Sequence, residues 1–511
     1  MSYIFFNGSL FNQPEAEALM VEGERIRHLG SLNECKSLAS KSPELIDLKG
    51  QMLLPAFTDA HTHFVEYAKS RILVNLADCT SVEAIRDYLL RYKANQKWDA
   101  AWILGGGWDN RFAQSLNRHF LDAIWRDIPV ALFSQDYHAK CCNSKALEIA
   151  GISKNTPNPE GGFIQRDTHK EPTGILLESA TLLLEPFIQS PPDAMIISAI
   201  KDSVQDMYRY GLCGFHTMES IISRDLLRSA QAEGSRFRFV WHFFTEDYEQ
   251  VLANKEYHEQ KDDWYQLGGL KLFGDGTLGS RTAAMQKPYP LEPDNKGILR
   301  HKDDELYSLI HQAAKDGFGI SIHTIGDAAI QQALSAANRH QQSGNNTPLK
   351  LRLEHLQLID LKDISLLKNL NIQVSMQPLH LAGDIDLFHD YQLDTQGAYL
   401  FKTILDNKIP LCFGSDAPIV SLNPFWGIYS ATQRRARLNP NNPAFCPKER
   451  ISAEEAIRAY SQQSPNKGRL QPDALADLFV IEDYRTLPPE YWLEAESFLT
   501  MINGDIVHNA L

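Results

Sequence analysis

The chain has 511 residues, 43% hydrophobic and 22% charged, with no low-complexity or Pro/Gly-dominated stretch, which excludes a disordered or fibrous protein and leaves material for a large core. A formal net charge of −14 excludes the clustered positive charge that nucleic acid or an anionic membrane surface would require. No window reaches the roughly 18 apolar residues of a membrane helix, and MSYIFFNGSLFN lacks the charged and apolar regions of a secretory signal, so a cytoplasmic protein is expected.

In chain order, YIFFNGSLF, EALMVEGERIRHLG and ELIDLKGQMLLPAF read as short strands bounded by Gly, Asn or charged turn residues. The pattern returns near the other end in ADLFVIEDY and FLTMINGDIVH, with an Asn-Gly turn. Residues 1–52 and 465–511 are therefore expected to form one discontinuous small β-sandwich domain. Between them, short apolar strands alternate with helical segments, the pattern of a parallel sheet wrapped by helices. Eight strands can be read, at 53–61, 213–218, 237–244, 268–274, 319–326, 351–358, 372–378 and 410–417. The fold class expected for 53–464 is α/β, a TIM-type (β/α)8 barrel. The stretch between the first and second strands far exceeds the ~2–6 residues of a βα loop. An inserted α/β subdomain is therefore placed at about 66–190.

Seven cysteines without CxxC spacing read as reduced thiols. Arg434, Arg435 and Arg437, the densest basic cluster, read as a solvated helix face.

His61 and His63 stand two apart at the end of an apolar strand, so both imidazoles project to one face. His323 in ISIHTIGD, His355 in LRLEHLQ and Asp416 in LCFGSDAP each close a further strand, where TIM barrels place their catalytic groups. Four imidazoles and a carboxylate suit a divalent metal, one ion or two, zinc first with iron or manganese as alternatives. Lys271, in GGLKLFGDG, holds the corresponding place on the fourth strand, where burial of an ammonium is costly. Two readings compete there: a structural salt bridge, or a neutral amine that adds carbon dioxide to become a carbamate, a carboxylated lysine able to bridge two ions. GDGTLG at 274–279 fits G-x-G-x-x-G, but Pro288 and Pro290 follow where a dinucleotide fold needs a helix. The segment reads instead as a loop over the metal site, with Asp275 and Arg281 as candidate substrate-binding groups. In the insert, Trp108, Asp109, His138 and Asn143 are candidates for a pocket wall, with Trp108 and His138 taken as substrate-binding.

In this order and on these strands, His61 and His63, Lys271, His323, His355 and Asp416 resemble the metal site of the amidohydrolase superfamily. The resemblance covers essentially the whole chain. GGGWDN, DYHAKCCNSKAL, KLFGDGTLGSRTAA, HTIGDAAI and SDAPIVSLNPFWGI are similar to the long-insert branch that includes N-substituted formamide deformylases. The resemblance implies a water activated by metal that attacks a carbonyl or similar electrophile of a small-molecule substrate. It implies His61, His63 and Asp416 around one ion, His323 and His355 around another, a carbamylated Lys271 between them, and Asp416 as the catalytic base. Two departures stand out: His216 where the family often carries an acid, and Ala328 where the branch often has Arg. Both are expected beside the metal shell. A mononuclear deaminase on the same barrel, needing no modified lysine, is the second reading; a non-catalytic binding or scaffold relative is the third. Subunit number is not written in the sequence; a homodimer is the working expectation.

Overall fold

The computed structural model describes the chain except residues 1, 41, 96–100, 113–114, 135–138, 255–256, 258–261, 344–346, 436–441 and 462–467. It divides into two compact units, Met1–Phe64 with Ser203–Leu511, and Val65–Asp202.

In the first unit an eight-stranded parallel sheet runs in sequence order through Phe57–Thr62, Leu212–Met218, Arg238–Phe243, Tyr265–Phe273, Ile320–Thr324, Leu351–His355, Gln373–Met376 and Leu411–Phe413. These are barrel strands one to eight. Helices such as Ile221–Ala232, Asp303–Lys315 and Asp327–Gln342 fill the connections, so the architecture is the (β/α)8 barrel. Helix Asp327–Gln342 shows why such segments fold: Ala329, Ile330, Ala333, Leu334, Ala336 and Ala337 recur at helical spacing and are all buried. The strand expected at 53–61 is two strands. Met52–Pro55 joins a flanking sheet, and the chain changes partners at Ala56, whose N–H reaches the Asp477 carbonyl, and Phe57, whose N–H reaches that of Gly211. Pro55 has no N–H to extend a ladder, which suits it to this break.

Strand eight is short, and a side chain helps to close the seam between it and strand one. Asp59 Oδ1 accepts from the backbone N–H of His61 at 3.0 Å and of Ser415 at 2.9 Å, and the Asp416 N–H donates to the His61 carbonyl at 2.6 Å. Strand four needs glycine where strands crowd: Gly269 sits at φ +134°, and a Cβ there would lie 1.9 Å from the Gly319 carbonyl oxygen.

Both chain ends contribute the remaining sheets of this unit, one of four strands and one of five. Arg238, at the start of strand three, ties the barrel to them through a buried bidentate pair with Asp477, at 2.8 and 3.1 Å. Arg434 corrects the solvated-face reading. It terminates helix Pro424–Gln433 in a left-handed conformation, is fully buried, and donates to the carbonyls of Phe445 at 2.7 Å and Tyr399 at 2.9 Å. Arg437 lies outside the described residues. All seven cysteines are free thiols. Among the described residues no helix is long and apolar enough to cross a membrane.

The second unit is built on a six-stranded mixed sheet, from Val74–Asn75 at one edge to Gly162–Arg166 at the other. Its core gathers Trp108, Trp125, Leu116, Phe120, Leu121 and Val130 among others.

Candidate metal centre

Side chains distant in sequence converge at the C-terminal ends of the barrel strands. His61 Nε2 and His63 Nε2 lie 3.4 and 3.3 Å from Asp416 Oδ1, and His380 Nε2 lies 3.5 Å from Asp416 Oδ2. Two groups of three donors can each surround one cation: His61, His63 and Asp416, and His355, His380 and Asp416, each with its ligand atoms within 4.8 Å of one another. The His355 ring stands 4.9 Å from that of His61, 4.4 Å from that of His323, and parallel to that of His380 at 5.7 Å.

Strand alternation does not by itself achieve this. Glu354 and His355 are adjacent, so a regular strand would turn them to opposite faces, yet both are buried around His61. His355 has φ +74° and Asp416 φ +64°, conformations that cost non-glycine residues on the order of 1–3 kcal/mol and re-aim the side chain.

The imidazoles are oriented from behind. His61 Nδ1 bonds Glu354 Oε2 at 2.7 Å, and His63 Nδ1 donates to the Met218 carbonyl at 2.8 Å. Each leaves Nε2 as the lone-pair nitrogen facing Asp416. His323 is turned the other way: its Nε2 meets the Gly276 carbonyl at 3.0 Å, which makes Nδ1 its lone-pair nitrogen. Glu354 is itself held by Arg352 Nε at 2.5 Å.

Burial pushes His61 down to about 4 and His323 to about 3, with the Lys271 charge adding to it, so both are neutral and able to ligate at pH 7. Burial opposes the charge on Asp416, but His61 and His63 outweigh it and hold the carboxyl well below its ordinary range. Burial likewise lowers Lys271, to about 8. Lys271 Nζ, His355 Nδ1 and His380 Nε2 are buried and make no hydrogen bond. Buried polar atoms rarely go without a partner, and imidazoles beside a carboxylate are donors that Zn²⁺, Fe²⁺ or Mn²⁺ accepts. The residues fit a divalent cation.

The sequence model of the amidohydrolase family matches residues 44–508. The chain belongs to the amidohydrolase family. It is similar to YtcJ of Bacillus subtilis (strain 168), 30% identical over 99% of each chain. It is also similar to N-substituted formamide deformylase of Arthrobacter pascens, 25% identical over 91% of this chain and 90% of that protein. Its fold matches the crystal structure of an uncharacterized metal-dependent hydrolase from Pyrococcus furiosus with a TM-score of 0.77 and 24% identity, over 96% of this chain and 100% of that one. As a member of this amidohydrolase family the protein is a hydrolase acting on carbon–nitrogen bonds.

Of the residues singled out in the sequence, His61, His63, His355 and Asp416 meet directly, with His323 against His355. Lys271 is buried close enough for its charge to depress His61, His323 and His355. Others are placed differently. Asp275 accepts from the backbone N–H groups of Ala284, Ile325 and Gly326 at 2.8–3.0 Å, tying the loop after strand four to the turn after strand five, and its Oδ1 lies 3.7 Å from His323 Nε2. Arg281 is on that loop, exposed and paired with Glu292 at 3.0 Å. No helix follows GDGTLG before Asp303, as the rejection of a dinucleotide site requires. Trp108 is no pocket wall; it is fully buried in the core of the second unit and donates to the Leu132 carbonyl at 2.8 Å. Asn143 is likewise spent internally, donating to the Trp125 and Ile128 carbonyls at 2.8 Å. His138 lies outside the described residues.

His216 is not beside the metal shell. It sits one layer deeper, with Nδ1 3.0 Å from Arg352 NH1 and 3.3 Å from His242 Nε2. The acid at this strand end is Glu219, buried and close enough to His63 to favour its protonated form. Ala328 opens helix Asp327–Gln342, its N–H bonded to the Ala284 carbonyl. His380 and Glu354 escape a search of strand ends. His380 stands in the first turn of helix Pro378–Asp390, and the signal for Glu354 was an acid inside the apolar run LRLEHLQ.

Proposed function

We propose that the protein hydrolyses a C–N bond of a small amide, N-formyl amine or related molecule with one or two divalent ions, zinc first among them. The observation that carries this reading is the convergence of His61, His63, His355 and His380 on the two oxygens of Asp416, with buried nitrogens at His355, His380 and Lys271 that make no hydrogen bond. His61, His63 and Asp416 would hold one ion. His355, with His380 or His323, would hold a second, and Lys271 would bridge them as a carbamate. Similarity to a formamide deformylase supports a formyl or amide carbonyl as the electrophile.

An ion held there lowers the pKa of a water and polarises the substrate oxygen. The residues of the chain supply the rest. Glu354 and the Met218 carbonyl fix the tautomers of His61 and His63. Asp416, ionised at neutral pH, takes the proton of the attacking water as the new C–O bond forms. It returns the proton to the nitrogen as the C–N bond breaks, giving an acid and an amine. Lys271, with its amine pushed towards neutrality, adds carbon dioxide through nitrogen and loses a proton to solvent.

Metal analysis with chelation tests this reading. Activity on a panel of N-formyl and N-acyl amines should vanish on metal removal and return with Zn²⁺, Mn²⁺ or Fe²⁺. Full activity in metal-free protein refutes it. The mononuclear deaminase reading draws on Asp416 being shared by both donor groups; one ion per chain and deamination surviving in Lys271→Ala would favour it.

A further inference from the structure

The amidohydrolase site has one feature that metal chemistry does not use: an exposed aromatic ring at its rim. Along strand four, Leu270 and Leu272 are buried on the outer face, while Lys271 and Phe273 share the inner one. Phe273 is 39% exposed, the only large apolar side chain on a barrel strand so exposed among the described residues. Its ring centre lies 5.8 Å from that of His323, 5.3 Å from Lys271 Nζ and 6.1 Å from that of Phe244, which backs it. On the strand-eight side of the barrel, the turn closed by the Ile419 N–H on the Asp416 carbonyl at 2.9 Å carries a second exposed apolar residue, Ile419, 68% exposed.

We infer that Phe273 is a specificity-determining residue, a platform on which the non-reacting part of the substrate stacks, and that this part is planar and apolar, an aromatic or similarly flat substituent on the scissile amide. This rests on the metal-dependent hydrolase reading above. An apolar ring left in water at the edge of a polar cluster loses nothing further when a flat apolar group covers it. Two rings at about 4.5–7 Å gain beyond simple burial, up to about ten-fold in affinity. A small polar amide gains nothing from Phe273; one bearing a ring is both bound and oriented, with its carbonyl towards Asp416 and the imidazoles.

The test uses two chelating probes on the zinc-loaded full-length protein, acetohydroxamate and benzohydroxamate, which differ only in a methyl against a phenyl group. Calorimetry should find benzohydroxamate about ten-fold tighter in the parent protein. Phe273→Ala should erase that preference and leave acetohydroxamate unchanged, whereas Phe273→Tyr should keep it. Phe273→Leu, apolar but without a ring, carries the same comparison if the alanine variant loses both probes through misfolding. Equal affinities in the parent, or a preference that survives both Phe273→Ala and Phe273→Leu, overturn the platform while leaving the hydrolase reading intact. Failure of acetohydroxamate to bind zinc-loaded parent protein brings down the metal-centre reading, and the platform with it.

Discussion

Replacing Lys271 by Met keeps an unbranched side chain one atom shorter and removes the amine, so the buried charge can be weighed directly. Burial lowers its pKa from 10.5 to about 8. A base whose folded pKa lies below its unfolded value destabilises the fold: the unfolded chain binds more protons, and stability rises with pH between the two values. The penalty is full below about pH 8, falls as pH rises beyond it, and is gone above about 10.5. At about 1.4 kcal/mol per pKa unit, it amounts to about 3 kcal/mol at pH 7 and less than half of that at pH 9.5. Lys271→Met should therefore be the more stable protein when both are free of metal and carbon dioxide. Urea unfolding followed by tryptophan fluorescence at the two pH values measures the gap, and metal-free protein is needed because bound ions shift stability by mass action. A variant no more stable than its parent at pH 7, or an advantage that does not shrink by pH 9.5, refutes the argument. The same variant should also lose any carbamate signal in carbon-13 NMR after equilibration with labelled bicarbonate.

Glu354→Gln removes the carboxylate that fixes His61 and should weaken zinc binding by about 10–100-fold in chelator competition; an unchanged dissociation constant would show that His61 needs no such support. Asp275→Ala strips the acceptor from three buried N–H groups at about 1–3 kcal/mol each. It should lower stability by several kcal/mol in urea unfolding, and a loss under 1 kcal/mol contradicts the anchoring role. His216→Gln, one layer below the ligands, should leave zinc stoichiometry and affinity unchanged. A lost ion there would return His216 to the metal shell.

The barrel and most of its metal site are legible in the sequence because parallel strands converge at their C-terminal ends. An apolar run ending in His or Asp therefore predicts both an element and the place where its last side chain arrives. His61, His63 and Lys271 obey the two-residue alternation of strands. His355 and Asp416 lie where left-handed backbone overrides it, and they were found because their type and position were suggestive, not because the period aimed them. His380 was missed because it reaches the site from a helix after strand seven. Trp108 and Asp275 show a common limit: a polar or aromatic residue in a loop motif looks the same in sequence whether its hydrogen-bonding groups face a ligand or are taken up by backbone. Arg434 shows the same limit, since a run of arginines does not reveal that one caps buried carbonyls.

Anomalous diffraction from zinc-loaded crystals shows whether His61, His63, His355 and Asp416 cage a metal ion. A zinc peak is expected with the His61 and His63 Nε2 atoms and an Asp416 oxygen at about 2.0–2.2 Å, and any second peak beside His355. Zinc bound elsewhere, with these side chains left without an ion, would contradict that cage.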